Sequence, residues 1–164
     1  MTRINRSVVT LVVLVGGMLA VSGSTRSAFA QADSAVGSWK LNVGKSRYSP
    51  GPALKSQTIS ITAVGKGIRV SAKGVDGDGK ATGTEYTGLY DGRDVPVMFN
   101  LTYDSISLKR IDANTAEVVR KKGGKVVQTA RRVVPAGGTT MTITTTGVDD
   151  KGRTVDNVAV YDKQ

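Results

Sequence analysis

The chain has 164 residues, a formal net charge of +10, no Cys and no His. It can therefore form neither a disulfide nor a Ser–His or Cys–His nucleophilic site, and zinc and haem lose their usual ligands. Only Glu85 and Glu117 are Glu, and strand order separates them too far for a hydrolytic carboxylate pair, so the expectation is no catalytic residue, no metal site, no cofactor and no enzyme activity.

Residues 1–30 read as a secretory leader. Arg3 and Arg6 make a positive start, residues 8–21 are apolar apart from Thr10 and a Gly pair, and Ala28-Phe29-Ala30 is a small-x-small cleavage site. The apolar run is too short for a stable span. The predicted product is residues 31–164, one exported domain, periplasmic or extracellular, with no transmembrane anchor after cleavage. The leader carries three Arg and no acid, which leaves 20 of the 23 basic residues against all 13 acids, a charge of +7. That balance suits anionic polymers of a cell envelope, or serves solubility alone.

Downstream, the chain alternates short strands with tight turns. Residues 36–42 open the series and contain Trp39, the single Trp. A lone large aromatic there is suited to plug one end of a barrel. The loop 44–55 contains Pro50, Gly51 and Pro52, which oppose helix; it serves as a lid or as a surface connection. Ile59, Ile61 and Ala63, then Ile68, Val70 and Ala72, alternate with polar residues about Gly65–Gly67. Asp76-Gly77-Asp78-Gly79 turns the chain into a strand over 80–90, closed by Asp91 and Gly92. Residues 95–101 carry Pro96, which suits an edge or bulged strand. Strands follow over 105–111, 116–122, 125–134, 139–147 and 153–162, with turns at 112–115, Gly123–Gly124, 135–138 and 149–152. The prediction is all-β: an antiparallel up-and-down meander of about 8–10 strands, closed so that no edge is left unpaired.

Gly65, Gly74, Val75, Asp76 and Gly79 recur at a constant offset of 73 as Gly138, Gly147, Val148, Asp149 and Gly152. Duplication of a half-barrel would produce this echo, and so would convergent turn chemistry.

Gly37-Ser38-Trp39 matches the Gly-x-Trp mark of the lipocalin superfamily. The pattern widens to Lys40-Leu41-Asn42, Lys45-Ser46-x-Tyr48-x-Pro50-Gly51-Pro52, Tyr90-Asp91-Gly92, Leu108-x-Arg110 and Val160-Tyr161-Asp162-Lys163. Over nearly all of residues 31–164 the chain resembles small exported bacterial lipocalin-like proteins. The resemblance implies a lipocalin-like barrel whose base is closed by Trp39 under a cation. Lipocalins place an Arg there; the last strand here offers Lys163.

The motifs sort onto two faces. Asp76-Gly-Asp78-Gly resembles a calcium loop, but the twelfth position is Thr87, so a plain turn is expected. With Lys122 opposite Lys125, the residues Lys109, Arg120, Lys122, Lys125 and Arg131 form an outer basic stripe for anionic surfaces, without the interleaved aromatics that nucleic acid requires. Ile106, Leu108, Val119, Val126, Ala130, Ile143, Val158 and Val160 then face the interior. With Ile111 opposite Ala116, Arg110 faces Glu117, and with Arg132 they form a polar anchor in the lumen, with Tyr86, Tyr90 and Tyr103 as partners. The expected function is binding of a small apolar or amphipathic ligand in the lumen, an amphipathic acid such as a fatty acid by preference. The alternative is a structural or adhesion module that works through the basic stripe.

Overall fold

The period-two runs become ten strands within residues 33–164, which are the residues this computed structural model describes. The leader expected over residues 1–30 lies outside the described residues. The strands are β1 (Gly37–Leu41), β2 (Ser56–Val64), β3 (Gly67–Val75), β4 (Ala81–Leu89), β5 (Asp91–Pro96), β6 (Ser105–Arg110), β7 (Thr115–Lys122), β8 (Lys125–Val133), β9 (Thr140–Val148) and β10 (Thr154–Lys163). A three-residue 3-10 turn, Val43–Lys45, is the exception to the all-β reading; the Asn42 side chain caps it by accepting from the Lys45 N–H.

All pairing is antiparallel, in the order β4-β3-β2-β1-β10-β9-β8-β7-β6-β5. The first and last strands are thus joined, and the meander curls into a barrel whose seam falls between β4 and β5. There the ladder shrinks to one bridge, Glu85 with Met98, through hydrogen bonds of 3.1 and 2.9 Å. Below the bridge, packing replaces pairing: a Cβ on Gly88 would lie 3.3 Å from side-chain atoms of both Leu108 and Val95. β5 starts at Asp91, earlier than expected, and the register shifts between Asp91 and Asp94.

The base of the barrel is built around Trp39, which is fully buried. Its Nε1 donates to the Ala35 carbonyl at 2.8 Å. Lys163 is its cross-strand partner on β10, with Nζ 5.2 Å from the ring centre. Gly37 makes room for this arrangement, since a Cβ there would come within 2.9 Å of Lys163 Cε.

Two one-residue irregularities correct the expected faces. Ile111 leaves the ladder, because the N–H groups of Ile111 and Asp112 both donate to the Thr115 carbonyl, at 3.0 and 3.3 Å. Arg110 therefore pairs with Ala116, and Lys109 with Glu117. In β8 a bulge at Val127 moves the partner of Lys121 to Val126 while Arg120 pairs with Gln128. The hairpin still begins with Lys122 opposite Lys125, but β7 is turned over relative to expectation. Ala116, Val118 and Arg120 point inward; Glu117 and Val119 point outward, and Val126 is exposed. In β10 the inward residues are Val155, Ala159 and Tyr161. Val158 and Val160 face out, partly covered where Arg47 and Ser46 hydrogen-bond to them.

The Val127 bulge needs a glycine opposite. Gly147 pairs with Gln128 at φ +137°, and a Cβ on it would sit 2.2 Å from the Val127 carbonyl oxygen. Gly147→Ala should destabilise the barrel by about 2 kcal/mol or more, through both the clash and the disfavoured φ. Urea unfolding checks this; an unchanged midpoint would contradict the bulge geometry.

Candidate functional site

The inward-facing side chains do not fill the barrel. They enclose a cavity of about 580 Å³ that opens between the 46–55 loop, the β3–β4 and β9–β10 turns and the β5–β6 connection. Its apolar wall includes Ile59, Ile61, Val70, Ile106, Val118, Ala130, Met141 and Ala159. Pro50, Pro52 and Leu54 line the same space, so the proline loop borders the mouth.

Two arginines enter this interior and meet different surroundings. Arg132 follows Ala130 by two positions and lies near the base, its side chain 7% exposed. Asp33, just ahead of β1, is its counter-charge. Arg132 Nη2 lies 3.9 Å from Asp33 Oδ2, and Arg110 Nη2 lies 3.0 Å from the same oxygen. The Tyr90 hydroxyl donates to that carboxylate and accepts from Arg132. The Tyr90 ring lies 4.1 Å from the Arg110 guanidinium carbon and 5.7 Å from that of Arg132. Burial opposes ionisation of Asp33, but the Tyr90 hydroxyl, the Ala35 N–H and the two guanidinium groups outweigh it and hold the carboxyl below its usual range. Burial, with the Asp33 charge, pushes Tyr90 up. This cluster seals the base.

Arg120 has no such neutralisation. It lies one inward position below Lys122 at the β7–β8 hairpin. Its Nη1 donates to Gln128 Oε1 at 2.9 Å, and its guanidinium carbon lies 5.1 Å from the Tyr103 ring centre. Gln128 is held in turn by donating to the Val148 carbonyl at 3.1 Å. No carboxylate among the described residues lies within salt-bridge distance of Arg120. Among those residues, the buried side-chain polar atoms without a hydrogen-bond partner are Arg120 Nε, Tyr48 Oη and Thr82 Oγ1, and all three residues line the cavity. Burial raises the Tyr48 and Tyr86 phenols to about 12 and pushes Tyr161 up as well. Below the mouth the cavity thus presents these phenols and the guanidinium groups of Arg120 and Arg132, while the carboxylates that line it, Asp76, Asp78, Asp149 and Asp150, belong to the turns at the mouth.

The predicted site residues therefore redistribute. Arg110, Arg132 and Tyr90 come together at the base, but Glu117 is not with them: the shifted register puts it outside, between Lys109 and Arg131. Tyr86 and Tyr103 line the lumen. The outer stripe does not form as expected. Arg120 points inward, Glu117 interrupts Lys109 and Arg131, and Lys122 reaches the Leu101 carbonyl at 3.3 Å. Sequence reasoning missed Asp33, which sits three residues past the expected cleavage site. It also missed Arg120 as a lumen residue, although Gly147 inside a Thr-rich strand marked a bulge nearby.

The repeated Asp-Gly segments are two copies of one turn at the mouth. Asp76 Oδ1 accepts from the N–H groups of Asp78 and Lys80, and Asp149 Oδ1 accepts from those of Lys151 and Arg153. Both carboxylates are thus used in turn formation.

Replacing Asp33 by Asn should cost about 2–3 kcal/mol, because it leaves Arg132 buried with only Tyr90. A free Asp titrates near ~3.9 and Asp33 lower in the fold, so its contribution is complete above that range and is lost as the pH falls through the folded value. The stability gap between the parent and Asp33→Asn, measured by urea unfolding, should be full at neutral pH and should close below about pH 4. A gap constant into strong acid would contradict the ion-pair assignment.

No family model and no curated protein matches the chain. Among solved structures, it is similar to the zebrafish ileal bile acid-binding protein complexed with cholic acid, at 7% identity and a TM-score of 0.48, over 80% of this chain and 99% of that one.

Proposed function

We propose that this barrel binds one small amphipathic acid in its lumen, with the carboxylate at Arg120 and the apolar part against Ile61, Val70, Ile106, Val118 and Met141. The observation that carries the reading is the coincidence of an open cavity with an apolar wall and a half-buried Arg120 whose buried Nε has no partner. A buried cation without a counter-charge is costly, and unmade hydrogen bonds add to the cost. An anionic headgroup removes both penalties together. The cavity volume of about 580 Å³ suits a ligand of that class. Arg132 does not compete, because Asp33 and Tyr90 already satisfy it.

Binding, not turnover, is the activity this chemistry supports. Burial pushes the Tyr48, Tyr86 and Tyr161 phenols up, and the carboxylates that line the cavity, Asp76, Asp78, Asp149 and Asp150, all belong to the β3–β4 and β9–β10 turns at its mouth. The leader-like first thirty residues support export, and the intact mass of protein recovered from its source cells tests this: a chain beginning at Gln31 is expected, and one retaining the leader would contradict export.

Titration calorimetry with dodecanoate and with dodecanol tests the site. The parent should prefer the acid. Arg120→Gln keeps hydrogen-bonding groups and removes the charge, and should weaken dodecanoate binding by about tenfold or more while leaving dodecanol little changed. Equal loss for both ligands, or no loss for the acid, would contradict the assignment.

A further inference from the structure

The mouth of the barrel carries an exposed apolar rim that the lumen reading does not use. In the connection between β5 and β6, Met98, Phe99 and Leu101 are 51%, 73% and 88% exposed. Exposed Val126 belongs to the neighbouring β7–β8 hairpin. The two segments are tied together. The Asp104 N–H donates to the Lys121 carbonyl at 2.9 Å, the Gly123 N–H donates to Asp104 Oδ2 at 2.9 Å, and Lys122 Nζ donates to the Leu101 carbonyl at 3.3 Å. Phe99 has φ +62°, the one non-glycine residue among those described with a left-handed backbone. An aromatic side chain is thus held outward at a position where glycine or asparagine would cost less. Singly exposed apolar residues are ordinary, but a cluster on one rim marks a contact surface.

Charge says what kind of contact. Lys122 and Lys125 face each other beside this rim, both exposed, and neither forms an ion pair among the described residues. Lys73 shares a shallow hollow with Phe99. Among the nearby acids, Asp94 pairs with Lys121 at 2.7 Å, Asp104 accepts from Gly123 and Glu85 pairs with Arg69; the other carboxylates of the mouth, Asp76, Asp78, Asp149 and Asp150, belong to the β3–β4 and β9–β10 turns, which also carry Lys80, Lys151 and Arg153. We propose that the rim docks the open end of the barrel on an anionic lipid bilayer, with Phe99 and Leu101 in the acyl boundary and Lys122 and Lys125 at the headgroup phosphates. Apolar insertion beside cations is the combination that holds proteins at such a surface. A second copy of the chain would instead set one strongly basic surface against another.

The proposal is independent of the lumen reading, because docking is measured without added ligand. Flotation with phosphatidylcholine vesicles, with and without phosphatidylglycerol, tests it. The parent should float with the phosphatidylglycerol vesicles only, and less so as salt is raised. The double variant Phe99→Ser, Leu101→Ser should bind about 100-fold more weakly, since each lost insertion is worth roughly tenfold in partition. Circular dichroism should show its barrel intact, as both side chains are exposed. Leu101→Trp should shift its emission to the blue when those vesicles are added. Undiminished binding by the serine variant, or no blue shift, would overturn the proposal. So would a parent that ignores vesicles and forms a dimer that the serine variant abolishes.

Discussion

The pairing of the first strand with the last is the constraint on which the rest depends. A ten-strand meander left open exposes two edges, and joining β1 to β10 places the first and last strands in the middle of the sheet. The register of that pair sets Trp39 opposite Lys163 and so plugs the base with a buried ring under a cation. It also carries residues 33–36 beneath the barrel, where Ala35 accepts from Trp39 and Asp33 reaches Arg132 and Arg110. What remains open is the β4–β5 seam, held by one bridge and by Val95 and Leu108 packed against Gly88.

The interior is polarised as a result. At the base, Arg132 has a carboxylate and a phenol, and the cluster acts as a seal. Toward the mouth, Arg120 has an amide and an aromatic face but no counter-charge. Both side chains bear the same charge on neighbouring strands, and their different surroundings follow from the reach of the segment ahead of β1, which serves only the closed end. On the proposed reading, an apolar cavity with its uncompensated cation near the opening would orient an amphipathic acid with its headgroup toward the rim.

Much of this was legible in the sequence because it rests on local chemistry. Period-two alternation and Asp-Gly or Gly-Gly turns located the strands and their meander order except that β5, at Asp91–Pro96, precedes the expected 95–101, and a lone Trp at the head of the series pointed to the base. What escaped was register. The forked hydrogen bonds at Thr115 and the bulge at Val127 each add one residue, and with a side-chain period of two that is enough to send Glu117 outward and Arg120 inward. The first irregularity lies in a turn and the second breaks the alternation of β8 at Val127, between two apolar residues that look alike in the sequence; only Gly147, a glycine within β9, hinted at the second. Asp33 escaped for a different reason: it lies in no strand, and only tertiary closure brings it to the arginines.

The proposal that the lumen holds an organic acid at Arg120 is tested most directly by native mass spectrometry of the protein drawn from its source cells, alongside Arg120→Gln purified in the same way. The parent should carry a mass excess corresponding to a single small organic acid, and the variant should have lost it. A parent that flies as bare polypeptide under conditions that preserve its fold, or a variant that retains the same adduct, would contradict the account.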